Sequence, residues 1–264
     1  PRPRASRASF VISRRASRYP CENRMNSEPK TWPRSSICLR PASLDVRSIA
    51  ADIYRRTCRV DFDEPGFCVL DVGDGIDPVA FRQLMVDLKR AMAAIHESTT
   101  GKTLVYRSVA RFDQQETTRP HLDGGPDESL LMLGYEPSAI DSELEISDYA
   151  KCAFDRGISP KAFMAEYNPM FKPGYEMLRP YTTRVPCFPK AGYQIVCINN
   201  SCAAYAQSRP AWQGTLHTAT ILTPDETMSR VINSTMIASV PAGTADKIEA
   251  EELNDFVSTA ASSR

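Results

Sequence analysis

The patterning of the chain predicts a mainly β fold, a sandwich or barrel with helical cover. Two observations carry this. Strand-like runs bounded by short turns fill the last third: "YQIVCINNS", "GTLHTATIL" and "SRVINSTMIAS". Helical periodicity is gathered at the start and in the middle, and there is no internal repeat.

Taken in order, residues 1–44 carry nine Arg and Lys30 against only Glu22 and Glu28 and lack any hydrophobic period. They predict a basic, disordered or transit-like N-terminal segment. The first residue is Pro and Met25 lies just downstream, so an overextended gene start accounts for the segment equally well. One globular domain is expected over residues 45–245, followed by a C-terminal helix and tail over 246–264. "SLDVRSIAADIYRRTC" has amphipathic helical spacing, and "GFCVLDVG", Gly66 to Gly73, reads as a buried strand. Asp77 as N-cap and Pro78 at the first position open a helix that repeats Phe81, Leu84, Met85, Leu88, Met92 and Ile95. His96, at its end, is expected to be a surface or capping histidine. Thr103 to Asp113 and "SLLMLGYEP" read as strands. The stretch from Ser142 to Pro169 reads as helical, part of a helical insert over about 142–190 whose Tyr167, Phe171, Tyr175 and Tyr181 suit either a lid or plain core.

Outside the basic head, 22 basic residues stand against 30 acidic ones. This mildly acidic body gives no reason to propose nucleic-acid binding. No apolar run approaches a membrane span. Eight Cys are scattered without a CxxC pair and read as reduced thiols in a cytoplasmic protein.

The chemistry concentrates in "RPHLDGGPDESLLML". On a strand, His121 and Asp123 share one face, where they could hold one ion. His217 lies on a separate strand-like run, with 93 residues between it and Asp123. Two His and one carboxylate are the donor set of non-heme Fe(II) oxygenases, which leaves coordination positions open for substrate and O₂. Arg230 follows His217 by 13 residues. If 217–222 and 227–233 form a hairpin, Arg230 opposite Ala219 or Ile221 falls on the face of His217, placed to bind a carboxylate.

This pattern resembles the 2-oxoglutarate- and Fe(II)-dependent dioxygenases, whose shared motif is His-x-Asp, a distal His, then Arg or Lys about ten to thirteen residues on. The resemblance covers roughly Gly66 to Ser239. Its "PGFCVLDVGDGID" entry and "INNS…GTLH" approach look like the isopenicillin-N-synthase-like branch. It implies a double-stranded β-helix (jelly-roll) core and iron held by His121, Asp123 and His217. Arg230 would bind the distal carboxylate of 2-oxoglutarate, and a small-molecule substrate would be oxidised with O₂, releasing succinate and CO₂. Hydroxylation is the default outcome. The branch often has Arg-x-Ser, but Ile232 stands at that position here, and Ser234 lies roughly 13 Å along a strand from Arg230.

Bland readings compete with each of these. Asp123 could make an Asx-type turn, His217 could be a hydrogen-bonded strand histidine, and Arg230 could pair with Asp225 or Glu226. "TPDE" would also cap a helix, which would remove the hairpin. Arg107, Arg111, Asn199 and Trp212 are candidate substrate contacts. Structural ion pairs, a turn at Asn199 and Asn200, and packing of Trp212 explain them as well. Three classes stay open: the 2-oxoglutarate dioxygenase, an Fe(II) oxidase of the same fold that does not use 2-oxoglutarate, and a non-enzymatic β-sandwich binding protein.

Overall fold

The computed structural model describes residues 31–186, 190–206, 208, 210–259 and 262. The basic head up to residue 30, with Cys21, and also Cys187, lie outside the described residues. The strands are β1 (Cys38–Leu39), β2 (Phe67–Gly73), β3 (Lys102–Asp113), β4 (Ser129–Tyr135), β5 (Ser142–Ser147), β6 (Thr182–Val185), β7 (Tyr193–Asn199), β8 (Leu216–Ile221) and β9 (Val231–Pro241). Six form a large sheet in the order β1-β2-β7-β4-β9-β3, and three form a small one, β6-β5-β8. All pairs are antiparallel except β1 with β2.

Period-two alternation gives the large sheet two apolar faces. Cys68, Leu70, Met132, Ile195, Cys197 and Ile237 face a helical layer. Phe67, Val69, Leu131, Leu133, Tyr135, Val196, Ile198 and Ile232 face the small sheet, which returns Leu144, Ile146 and Val185. The helical layer comprises α2 (Val46–Thr57), α3 (Pro78–Thr100) and α7 (Ala250–Ser258), while α1 is the short Arg34–Ile37. A second helical group, α4 (Tyr149–Asp155), α5 (Pro160–Glu166) and α6 (Lys172–Leu178), packs Tyr149, Phe163 and Leu178 against Leu216 of the small sheet. Among the described residues no helix is long and apolar enough to cross a membrane.

Helix α3 forms as its sequence dictates. Asp77 Oδ1 accepts from the N–H groups of Val79 and Ala80, both at 2.9 Å. Gly101, at φ 69°, ends the helix in the left-handed conformation. Leu88 and Met92 are fully buried, each contributing about 1.5–3 kcal/mol of transfer free energy. The helix approaches so closely that a Cβ on Gly134 would lie 2.5 Å from the Met85 sulfur and 2.9 Å from the Phe81 ring, so any larger residue there would have to displace those side chains.

Four expectations need correction. Residues 34–39, grouped with the basic head, form α1 and β1, because Ile37 and Cys38 complete the apolar space beside Phe67 and Val69. Ser142–Ser147 is a strand, not the start of a helix: Leu144 and Ile146 alternate into the core, and the helices begin only at Tyr149. β8 and β9 do not form a hairpin but lie in opposite sheets. His96 is buried, neither a surface nor a capping residue. Its Nδ1 meets the Tyr54 hydroxyl at 2.8 Å, its Nε2 meets Ser239 Oγ at 3.0 Å, and burial lowers its pKa to about 4.

One buried ion pair joins the layers. Arg59 donates to both carboxylate oxygens of Asp148, at 2.8 and 2.5 Å, and to the carbonyls of Gln213 and Glu64. Asp148 also caps α4 by accepting from the Lys151 N–H. Replacing Asp148 with Ala leaves a buried guanidinium without its counter-ion, and a loss of about 3–5 kcal/mol is expected. Urea unfolding of Asp148→Ala beside wild type measures it.

Candidate metal centre

His121 and His217 meet across the edge of the small sheet. Their backbones exchange two hydrogen bonds of 3.2 Å in an isolated antiparallel bridge. The preceding segment runs along β8, with Thr118 N–H on the Ala219 carbonyl and the Thr117 and Thr118 hydroxyls accepting from Ile221 and Ala219. Opposed residues of an antiparallel pair share a face. His217 is opposite Ile146 on β5, so its ring points between the sheets.

Asp123 completes the group. One ligand atom from each of His121, Asp123 and His217 lies within 4.8 Å of the other two. His121 Nε2 and Asp123 Oδ1 are 3.4 Å apart, and the two imidazoles stand 4.2 Å apart by centroid. His121 Nδ1–H donates to the Arg119 carbonyl at 2.7 Å, so in the neutral ring Nε2, the nitrogen facing Asp123, would carry the lone pair. Asp123 does not make an Asx turn among the described residues; its carboxylate faces His121.

The electrostatics favour the metal-binding protonation state at His217 and Asp123 and oppose it at His121. Burial lowers the His217 pKa to about 4, helped by neighbouring His121, so this imidazole is neutral near pH 7. Burial works against ionisation of Asp123, yet the His121 hydrogen bond and the two imidazoles hold its pKa below the usual value. The hydrogen bond to Asp123 raises the pKa of His121. His217 Nδ1 is buried with no hydrogen-bond partner, which is costly for a purely structural histidine. Two nitrogens and one carboxylate oxygen suit a divalent first-row metal such as Fe(II).

Arg230 reaches the same interior. It is 4% exposed. Its Nε donates to Ser142 Oγ at 3.2 Å and its Nη1 to the Gln114 carbonyl at 3.1 Å, and the guanidinium lies 5.3 Å from the centre of the Tyr135 ring. These partners are uncharged: burial raises the Tyr135 pKa, although Arg230 opposes this. The competing reading, a pairing with Asp225 or Glu226, is not what the chain makes; Asp225 instead closes its own turn onto Thr227. Ser142 is opposite Ile221, two same-face positions along β8 from His217. Arg230 thus shares the face of His217 by crossing between sheets, not through a hairpin. The crossing segment is pinned by Gln115, which bonds the Asp225 N–H and the carbonyls of Asp225 and Met228, each at 2.8 Å. Nothing local to Gln115 marked this role, since its partners lie more than a hundred residues away.

The four candidate substrate contacts are not assembled here. Arg111 donates to both oxygens of Glu136, beside Arg82 and Asn233, on the helix-facing side of the large sheet. Arg107 sits at the bulge of edge strand β3. Asn199 is buried and bonds the Thr57 carbonyl, while Trp212 packs against His96 in the helix-facing core. Strand alternation turns Arg111 and Asn199 away from the inter-sheet space and Arg107 lies at a sheet edge, while Trp212 sits in the connection before β8. Asn200, by contrast, bonds the main chain of Asp123. Of the four aromatics in the insert, Tyr167 packs on Phe163 and Tyr181 bonds Asp155. Tyr175 meets Arg119, two residues from His121, and Phe171 is exposed.

No protein-family model matches the chain, and no curated protein matches it. Among solved structures it is similar to the iron and alpha-ketoglutarate-dependent endoperoxidase NvfI, at 13% identity and a TM-score of 0.38 over 71% of this chain and 83% of that one. A different conformation of the same endoperoxidase gives 14% identity and a TM-score of 0.37 over 71% and 82%. A single-substitution variant gives 13% and 0.36 over 71% and 83%. Likeness at this level carries no functional assignment, which rests on the residues above.

Proposed function

We propose that the protein is a non-heme Fe(II), 2-oxoglutarate-dependent dioxygenase that oxidises a small-molecule substrate, with hydroxylation as the outcome. The observation that carries this is the convergence of His121, Asp123 and His217 on one point, with a buried guanidinium among uncharged partners on the same interior face. The strand order supports a double-stranded β-helix: from β3 to β9 the chain passes repeatedly between two facing antiparallel sheets.

In this reading His121, Asp123 and His217 hold the iron. When bound, Fe(II) and the 2-oxo acid would supply the activation of O₂, one oxygen atom entering the substrate C–H bond and the other the succinate that forms as CO₂ is lost. The remaining work belongs to the chain. Neutral His217 and ionised Asp123 are ready to ligate without a proton leaving either. Arg230 attracts the distal carboxylate of 2-oxoglutarate. Ser142 Oγ, within reach of Arg230, supplies the hydroxyl missing at Ile232. The apolar wall of Leu131, Leu133, Val196 and Ile232 keeps water out.

The test is an anaerobic titration with Fe(II) and 2-oxoglutarate, following the weak visible metal-to-ligand charge-transfer band. A saturable band that needs both components is expected. Iron binding without a band would favour the oxidase reading, and no metal binding would favour a non-enzymatic β-sandwich.

A further inference from the structure

We propose that Asn200 is the positioning residue that fixes Asp123 for metal binding, by clamping the Asp123 main chain with both atoms of its amide. The inference rests on the metal-site reading above. Asn200 Oδ1 accepts from the Asp123 N–H at 3.0 Å, and its Nδ2 donates to the Asp123 carbonyl at 2.9 Å. An amide suits this task because it presents an acceptor and a donor side by side.

The clamp answers a specific need. His121 and His217 are fastened to each other through their ladder bonds, both along β8. Asp123 lies past the end of that ladder. Among the described residues its backbone N–H and C=O make no backbone hydrogen bond, and two glycines, Gly124 and Gly125, follow it. Glycine leaves the chain free to take many directions. Without Asn200, His121 would still meet the carboxylate, but no hydrogen bond among the described residues would hold the Asp123 main chain that carries it.

The clamp is itself rigidly held. Asn200 is 2% exposed and follows directly on β7 of the large sheet. Its N–H donates to the Ser129 carbonyl at 2.9 Å, its carbonyl accepts from Ser129 Oγ at 3.2 Å, and its Nδ2 also reaches Ser129 Oγ at 3.2 Å. The two histidines therefore belong to the small sheet, while the carboxylate is hung from the large one. Asn200 makes the donor triad depend on how the two sheets pack, and it acts through Asp123 without touching the metal.

The experiment is Co(II) binding to the full chain, read both as affinity by chelator competition and as the visible ligand-field spectrum. Asn200→Ala is expected to bind roughly 10- to 100-fold more weakly and to move the spectrum toward that of Asp123→Ala. Asn199→Ala is the control: its amide is equally buried and bonds backbone, but not that of Asp123. It is expected to lose stability while its folded fraction keeps wild-type affinity and spectrum. If Asn200→Ala does not fold, Asn200→Asp decides, since it retains an acceptor for the Asp123 N–H but loses the donor to its carbonyl. Wild-type affinity and spectrum in the folded Asn200 variant overturn the clamp while leaving the metal reading intact. A wild-type protein that binds no Co(II) overturns the metal reading, and the clamp falls with it.

Discussion

His217→Ala is expected to abolish tight Fe(II) binding, weakening it by on the order of 100-fold or more, since even supporting residues around a metal ligand typically account for 10- to 100-fold. The fold should survive. The bridge to His121 is made by backbone atoms, which alanine keeps, and the side chain removed carries a buried nitrogen with no partner. A structural histidine would behave in the opposite way, costing stability and leaving metal affinity untouched. Chelator competition beside thermal unfolding of the apo protein separates the two. The wild type should also show a pH dependence of known sign. The hydrogen bond to Asp123 raises the His121 pKa, so metal must displace a proton there. Apparent affinity should fall as pH drops through neutrality, by up to about tenfold per pH unit for each proton displaced. Affinity independent of pH between 6 and 8 would remove His121 from the ligand set.

Arg230→Ala is expected to leave metal affinity within a few-fold of wild type while raising the 2-oxoglutarate concentration needed for the charge-transfer band. Losing hydrogen bonds to a charged group costs about 1.5–3 kcal/mol, which corresponds to roughly 10- to 150-fold in affinity. Arg230→Lys should fall between, because lysine keeps the charge but not the two-pronged donor. The guanidinium also bonds Ser142 and the Gln114 carbonyl, so some stability is lost as well, and the titration must be run below the lowered melting temperature. An unchanged 2-oxoglutarate requirement in Arg230→Ala would separate the cosubstrate assignment from the metal assignment and leave only the second standing.

How far the site could be read in advance differs residue by residue. His121-x-Asp123 and His217 were recognisable because the donor types are rare here, with only three histidines in the chain. Arg230 was assigned the right face for a reason the fold replaces. The expectation paired 217–222 with 227–233, whereas β8 pairs with β5 and β9 pairs with β3 and β4. Arg111 had the strand alternation expected of it, but alternation alone does not say which face looks at the site, and Glu136 lies on the other one. Asn200 flanks the distal-histidine strand and reads locally as a substrate contact or a turn, because its partner Asp123 is 77 residues away.

The sequence by itself determined what repeats or caps within a few residues: the Asp77 cap and apolar period of α3, the period-two apolar faces of β2, β4, β7 and β9, and the chemical kinds of the candidate ligands. Those features follow from backbone geometry and side-chain direction, which are local. Only the tertiary structure decided which strands share a sheet, that α1 and β1 join the core, that Arg230 enters the interior by crossing between sheets, and that the amide just past β7 bonds the Asp123 main chain beside two histidines at the small sheet. These depend on contacts between residues far apart in the chain. Such contacts form because closing the chain buries both sheet faces at once, and no short window of sequence carries that information.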